Sequence, residues 1–180
     1  MAKRATSVIP KKVRKRVPVG AQNGKSITSI RRAAVKTHRI SPAGLYRASG
    51  AEFVTRVRAG VPARHLVRIV ERMDIPKERL YAFLRLPRST LNRKIRNHES
   101  LPAEYTERVL GLERLVGQVT EMVAQSGNPA GFDADRWVGA WLDRPLPVLG
   151  GAKPADFMDT MEGQRLITQL LAQSQSGAYA

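Results

Sequence analysis

In Leu86-Pro87-Arg88-Ser89-Thr90-Leu91-Asn92-Arg93-Lys94-Ile95-Arg96-Asn97, proline breaks one helix and a new one begins. At about 100° per residue, Leu91 and Ile95 fall on the inward side of the new helix, and Ser89, Asn92, Arg93 and Arg96 on the other. That outward arc holds no acid. Arginine pairs bidentately with guanine, asparagine with adenine, and serine with bases or phosphates, so the arc suits the major groove of a duplex. Arg88, Thr90 and Lys94 lie beside it and suit phosphate contacts. The alternative is a solvated helix face, which usually mixes Glu with Lys and Arg in i,i+4 pairs. The absence of acid favours nucleic acid.

Working backward, Pro62 opens a segment in which Leu66, Ile69, Val70 and Met73 form one apolar stripe, with Arg64, Arg68 and Arg72 opposite or flanking. Asp74 and Pro76 stop that helix and restart the chain. A second helix over 76–84 buries Leu80, Phe83 and Leu84. Two short helices joined tightly, the later one carrying the acid-free arc, predict a helix-turn-helix.

Working forward, Ser100 and Pro102 open a long helix over 103–124. Tyr105, Val109, Leu112, Val116, Val119 and Val123 alternate steps of four and three, a period of about 3.5, and Leu115 and Met122 widen the seam. Such a seam needs another helix, from the same chain or across a dimer axis. Gln125-Ser126-Gly127-Asn128-Pro129 ends it. Beyond lies a small helical module. Asp133 is a good N-cap, with Phe132 and Trp137 placed as a hydrophobic staple and Trp141 one turn on. A Pro- and Gly-rich loop over 143–154 follows, then Phe157 and Met158, then Thr160 as cap of a last helix presenting Leu166, Ile167, Leu170 and Leu171. Both tryptophans read as core.

The expected fold is all-α: a basic arm over 1–45 expected to be disordered, a helix-turn-helix domain over 46–125, and a small helical domain over 126–180. The chain has 180 residues, 31 Lys and Arg against 15 Asp and Glu, and a net charge of +16. This charge is polarised. Residues 1–40 hold 12 Lys and Arg and no acid, 41–100 hold 13 against 5, and 101–180 hold 6 against 10. One end therefore suits a polyanion and the other a protein. The arm reads either as a non-specific nucleic-acid contact or as a solubilising tail or a start upstream of the true one. A transit peptide is a lesser reading, because Pro10 and Pro18 interrupt any amphipathic helix. Gly20-Ala-Gln-Asn-Gly24-Lys25-Ser26 resembles a phosphate loop but has one residue too few between its glycines and no strand before it.

No apolar run is long enough to span a bilayer, no signal sequence is evident, and a cytoplasmic protein is expected. The absence of Cys excludes disulfides, thiolate metal sites and a cysteine nucleophile. His38, His65 and His98 share no ligand spacing; His38 lies in the arm, and the other two sit among arginines, where phosphate proximity or exposure explains them. Asp156, Asp159 and Glu162 cluster where a first helical turn favours acids anyway. Neither a catalytic residue nor a metal site nor a cofactor is expected.

The residues resemble a known family, the Xre-type antitoxins of RES/Xre toxin-antitoxin pairs, which end in an Xre/MbcA/ParS toxin-binding domain. The likeness covers roughly 50–180 and rests on Ser89-Thr90-Leu91-Asn92-Arg93-Lys94, Ala140-Trp141-Leu142, Leu149-Gly150-Gly151 with Pro154, Asp159-Thr160, Glu162-Gly163 and Gly177-Ala178-Tyr179. The ordered C-terminal series is its specific part. The resemblance implies a homodimer that binds operator DNA of its own operon and neutralises an NAD-consuming RES toxin by occluding its active site. It places Tyr179 and Ala180 with the Gly150-Gly151 loop against the toxin, and adds Trp141, Leu149, Pro154 and Gly177 to that surface. Two departures are Pro87, where relatives more often carry a polar cap, and the long arm. The alternative is a stand-alone helix-turn-helix regulator whose C-terminal domain only dimerises or binds a ligand. A third class, a nucleoid-type protein held by its arm, would bind with steep salt dependence and no operator preference.

Overall fold

A computed structural model of the chain describes residues 41–127 and 129–175. Those residues form eight α-helices and no strand. The arm, expected to run to residue 45, gives way to helix α1, Pro42–Arg47, whose first turn is closed by Ser41 accepting from the Gly44 amide. Helix α2, Gly50–Ala59, starts at a capping box in which Ser49 and Glu52 satisfy each other's backbone amides. The helical pattern was expected only from Pro62, so α1 and α2 are additions.

Gly60, at φ +77, turns the chain into an extended stretch that pairs with the residues after α5 (Arg88–Arg96). The Ala63 amide donates to the Glu99 carbonyl at 2.9 Å and the Leu101 amide to the Val61 carbonyl at 2.8 Å, an isolated antiparallel bridge centred on Pro62 and Ser100. Between these stretches lie α3, His65–Met73, and α4, Lys77–Phe83. Asp74 ends α3 in the left-handed region.

Helix α6, Ala103–Gln125, is the axis of the molecule. In its expected seam Val109, Leu112, Leu115, Val116 and Val119 are buried and Tyr105, Met122 and Val123 half-buried, and Thr106, Leu110, Glu113, Gly117 and Gln118 off that seam are buried too, because α1, α2, α7 and α8 all lie against α6. The partners of the seam thus come from the same chain. Gly117 has a packing reason to be glycine: a Cβ there would collide with the Pro42 carbonyl, so α1 rests backbone to backbone on α6.

The C-terminal module begins at α7, Ala134–Trp141, with Asp133 as the expected N-cap accepting from the Arg136 amide at 3.0 Å. Phe132 and Trp137 meet at 6.2 Å between ring centroids, and Trp137 stacks on Trp141 at 5.7 Å with the planes 12° apart. Short 3-10 turns at Pro147–Leu149 and Pro154–Phe157 lead to α8, Met161–Gln175, capped by Thr160, which accepts from the Gly163 amide at 3.0 Å. One apolar cluster takes Leu66, Leu80 and Leu91 from α3 to α5, Leu112 and Val116 from α6, and Val138, Leu142, Met158 and Ile167 from the C-terminal module. The approach is close at Gly139, where a Cβ would stand 2.9 Å from the Met73 carbonyl and 3.2 Å from Ile75. The two halves share a core.

Candidate functional site

Helix α5 is presented by its neighbours. Pro87 stands at its N-cap with extended backbone, offers no side-chain cap, and lets the helix begin at Arg88. The turn before it, with Arg85 at φ +44, is held by Arg108 of α6, whose Nη1 donates to the carbonyls of Leu84 at 3.1 Å and Arg85 at 3.3 Å. Leu91 is fully buried and Ile95 packs against the core, so the opposite side must face out. Ser89, Asn92, Arg93 and Arg96 are all exposed, as is Arg88, while Thr90 and Lys94 are half-buried. The helix thus presents the predicted arc.

Its charge balance differs from the reading of the helix alone. Glu99, just beyond α5, folds back and accepts from Arg93 Nη1 at 2.8 Å, Lys94 Nζ at 2.9 Å and Asn97 Nδ2 at 3.0 Å. The Lys94 ammonium and then the Asn97 amide hold its carboxyl below the usual carboxylate range. Arg88 pairs with Glu78 of α4 at 3.0 Å. Ser89, Asn92 and Arg96 carry no polar partner among the described residues.

On the C-terminal module, Leu146 anchors the Pro/Gly loop twice: its amide donates to the Ala152 carbonyl, and its carbonyl accepts from the Gly151 amide, both at 3.0 Å. Gly150 and Gly151 project at φ +65 and +86, a region closed to most L residues, with open space where a side chain would go. Leu149 is half-buried beside them. Trp141 and Pro154 are buried, Leu146 and Leu149 pack against the apolar cluster that contains Trp141, and the Ala155 amide donates to the Leu142 carbonyl at 2.9 Å. Val148, 49% exposed at its tip, was not singled out in the sequence; a lone valine between prolines gives no periodic signal. Gly177, Tyr179 and Ala180 lie outside the described residues, as do residues 1–40 of the arm with His38 and the Gly20–Ser26 fragment.

The expectation for His65 is corrected. Rather than facing solvent among arginines, it is buried, and its Nε2 meets Glu113 Oε1 of α6 at 2.7 Å. The cause is that Ala63 and Leu66 on either side are drawn into the core. Arg72 reaches the same Glu113 oxygen at 2.6 Å and Asp135 of α7 at 3.1 Å, so one chain of polar contacts joins α3, α6 and α7. Burial works against the Arg72 cation, but Glu113 and then Asp135 hold its pKa above the ordinary value. Burial also raises Asp135, more than Arg72 lowers it. Glu113 was missed because it interrupts an apolar seam, where a periodic reading passes over it.

The three C-terminal acids are taken up by different partners. Asp156 accepts from the Lys153 amide at 3.0 Å, Asp159 pairs with Arg85 at 3.0 Å, and Glu162 pairs with Arg165 within its own helix. Among the described residues no group of His, Asp and Glu has metal-binding geometry, and no helix is long and apolar enough to cross a membrane.

Comparison with known proteins matches both halves. Residues 52–114 fit the antitoxin Xre-like helix-turn-helix domain, and residues 130–177 fit the antitoxin Xre/MbcA/ParS C-terminal toxin-binding domain. A relative from Sphingobium sp. (strain YBL2), named Prs ADP-ribosylating antitoxin, is 45% identical over 136 residues, which cover 76% of this chain and 86% of the relative. An exposed Ser/Asn/Arg helix face and a projecting Gly-Gly loop thus stand on the two domains of an antitoxin, and the chain belongs to the Xre/MbcA/ParS antitoxin family.

Proposed function

We propose that this antitoxin acts in the cytoplasm as a homodimer, reads operator DNA of its own operon through α5, and neutralises a RES-domain toxin that consumes NAD. The observation that carries the DNA half is the simultaneous exposure of Ser89, Asn92, Arg93 and Arg96 over a buried Leu91. Asn92 and Arg93 contact base edges; Arg88, Thr90, Lys94, Ser89 and Arg96 contact phosphates or the flanking edge. A dimer sets two such helices against two half-sites. The chain needs neither cofactor nor metal for this.

Neutralisation works by occlusion. The Gly150-Gly151 loop, together with Leu149, Trp141 and Pro154, forms the docking surface, and Gly177, Tyr179 and Ala180 cover the toxin's active-site cleft. ADP-ribosyl transfer draws its group from NAD, so the name of the Sphingobium relative fits a partner toxin of this chemistry. The test is co-expression of the chain with the product of its adjacent gene, reading growth and cellular NAD, with a chain ending at Ser174 in parallel. Full length restoring both, while the shorter chain binds without protecting, is the expected result. A shorter chain that protects fully refutes occlusion by the C-terminal end, and a full-length chain that alters neither readout refutes the toxin assignment for that partner.

A further inference from the structure

The basic surface does not stop at the recognition helix. The antiparallel bridge between Pro62 and Ser100 sets the turn between α2 and α3 directly beside the end of α5. Gly60 is the hinge of that contact: the position of a Cβ on it lies 3.5 Å from the Ser100 side chain and 3.5 Å from the Leu101 carbonyl. Arg58 and Arg64 bracket the extended stretch on one side of the bridge; Arg96 and His98 precede it on the other. Arg68 lies one turn further along α3, on the face opposite the buried Leu66 and Ile69. All five side chains are exposed.

Among the described residues Arg58, Arg64, Arg68 and Arg96 lack an ion pair, as do Arg56, Lys77, Arg108, Arg114 and Arg144, and are set apart by their place around the bridge next to α5. Ten of the nineteen described arginines and lysines are neutralised in place: Arg47 by Glu121, Arg72 by Glu113, Arg79 and Lys153 by Asp143, Arg85 by Asp159, Arg88 by Glu78, Arg93 and Lys94 by Glu99, Arg136 by Asp133, Arg165 by Glu162. Among the described residues no carboxylate lies within ion-pair distance of Arg58, Arg64, Arg68 or Arg96. The acids nearest in sequence are taken or turned away: Glu52 closes the α2 capping box, Glu99 holds α5, and Glu71 lies on α3 without pairing to Arg68. Exposed, uncompensated arginines gathered beside a groove-reading helix carry the chemistry of phosphate recognition.

We infer that Arg58, Arg64 and Arg68, outside the helix-turn-helix proper, form a second contact with the duplex. They clamp the sugar-phosphate backbone beside the groove that α5 occupies. The inference rests on the proposed reading of α5. The partner is double-stranded DNA, engaged through phosphates and without regard to sequence, so the clamp adds affinity and orientation while Asn92 and Arg93 set preference. The bridge ties the clamp's position to the end of α5.

The test measures fluorescence anisotropy of the full chain on two labelled duplexes of equal length, one taken from its own upstream region and one scrambled, at salt from roughly 50 to 200 mM. The variant is Arg58→Gln/Arg64→Gln/Arg68→Gln, whose positions are exposed; an unchanged circular dichroism melt confirms the fold. Loss of three phosphate contacts makes the slope of log affinity against log salt shallower by about 2.7. The preference for the upstream duplex over the scrambled one stays as in the wild type, and so does toxin neutralisation. An unchanged slope overturns the clamp alone and leaves the reading of α5 intact. A variant that keeps its slope but loses affinity for the toxin also overturns it, by giving the surface to the protein partner. A wild-type chain that binds neither duplex overturns the clamp and the reading of α5 together.

Discussion

Helix α5 and the loop that follows α7, the two segments proposed to carry recognition, are both short surface segments built in opposite ways. On α5 the backbone is ordinary helix and the information lies in side chains: Ser89, Asn92, Arg93 and Arg96 project from a face fixed by Leu91. On the loop the two exposed glycines carry no side chain, and the shape lies in the backbone at φ +65 and +86. A side-chain code can change its target by single substitutions. A backbone shape can change only by changing the loop, so the two proposed surfaces differ in how readily a single substitution could retarget them.

The largest effect tests whether the two segments stand on one foundation. Glu113→Ala leaves Arg72 and His65 without their shared carboxylate in the interior and should lower stability by about 3 to 5 kcal/mol. Because the polar chain joins α3, α6 and α7, urea transitions followed by far-ultraviolet dichroism and by tryptophan emission should shift together. Transitions that separate would show that the halves unfold independently. Replacing Glu113 and His65 by Leu and Arg72 by Met should recover most of the loss.

The next prediction is a double dissociation. Asn92→Ala should cost about 1 to 3 kcal/mol at the cognate duplex and little elsewhere, with toxin affinity unchanged. Gly151→Val should weaken toxin binding by forcing a branched side chain into a left-handed conformation, with DNA affinity unchanged. Titrations of each variant against both partners check this, and any crossed effect breaks the division of labour.

The smallest effect concerns Glu99, which occupies Arg93 and Lys94 in the free protein. Glu99→Gln should raise affinity for any duplex a fewfold by removing a negative charge beside the phosphates. Since the folded carboxyl titrates below its unfolded value, its pairing contributes stability above the usual carboxylate range and loses it as pH falls below about 4.5. Glu99→Gln should flatten that acid limb of the stability profile. A fall in DNA affinity would instead make Glu99 the residue that positions Arg93.

What could be read in advance follows the same contrast. Helices α3 to α8 were legible because their apolar residues repeat at helical spacing and Pro76, Pro87, Pro102, Asp133 and Thr160 mark where they start. The face of α5 was legible because one buried leucine orients a helix. Helices α1 and α2 escaped a reading that placed residues up to 45 in the basic arm and began the helices at Pro62, although Ser49 and Glu52 spell a capping box. Glu113 and His65 could not be paired from sequence, since 48 positions separate them and only the docking of α3 on α6 brings them together. The fold-back of Glu99 was hidden for the same reason: helix periodicity ends at Arg96, and the bridge to Pro62 sets the chain beyond it.

The stacked indoles of α7 have a practical consequence. Both tryptophans of the chain, Trp137 and Trp141, stand in that stack, so indole emission comes from the C-terminal half alone and the half bearing α5 is silent at that wavelength. An unlabelled titration can therefore test whether the proposed toxin docking reaches α7, and the same titration repeated with duplex present reads whether one binding event is felt by the other.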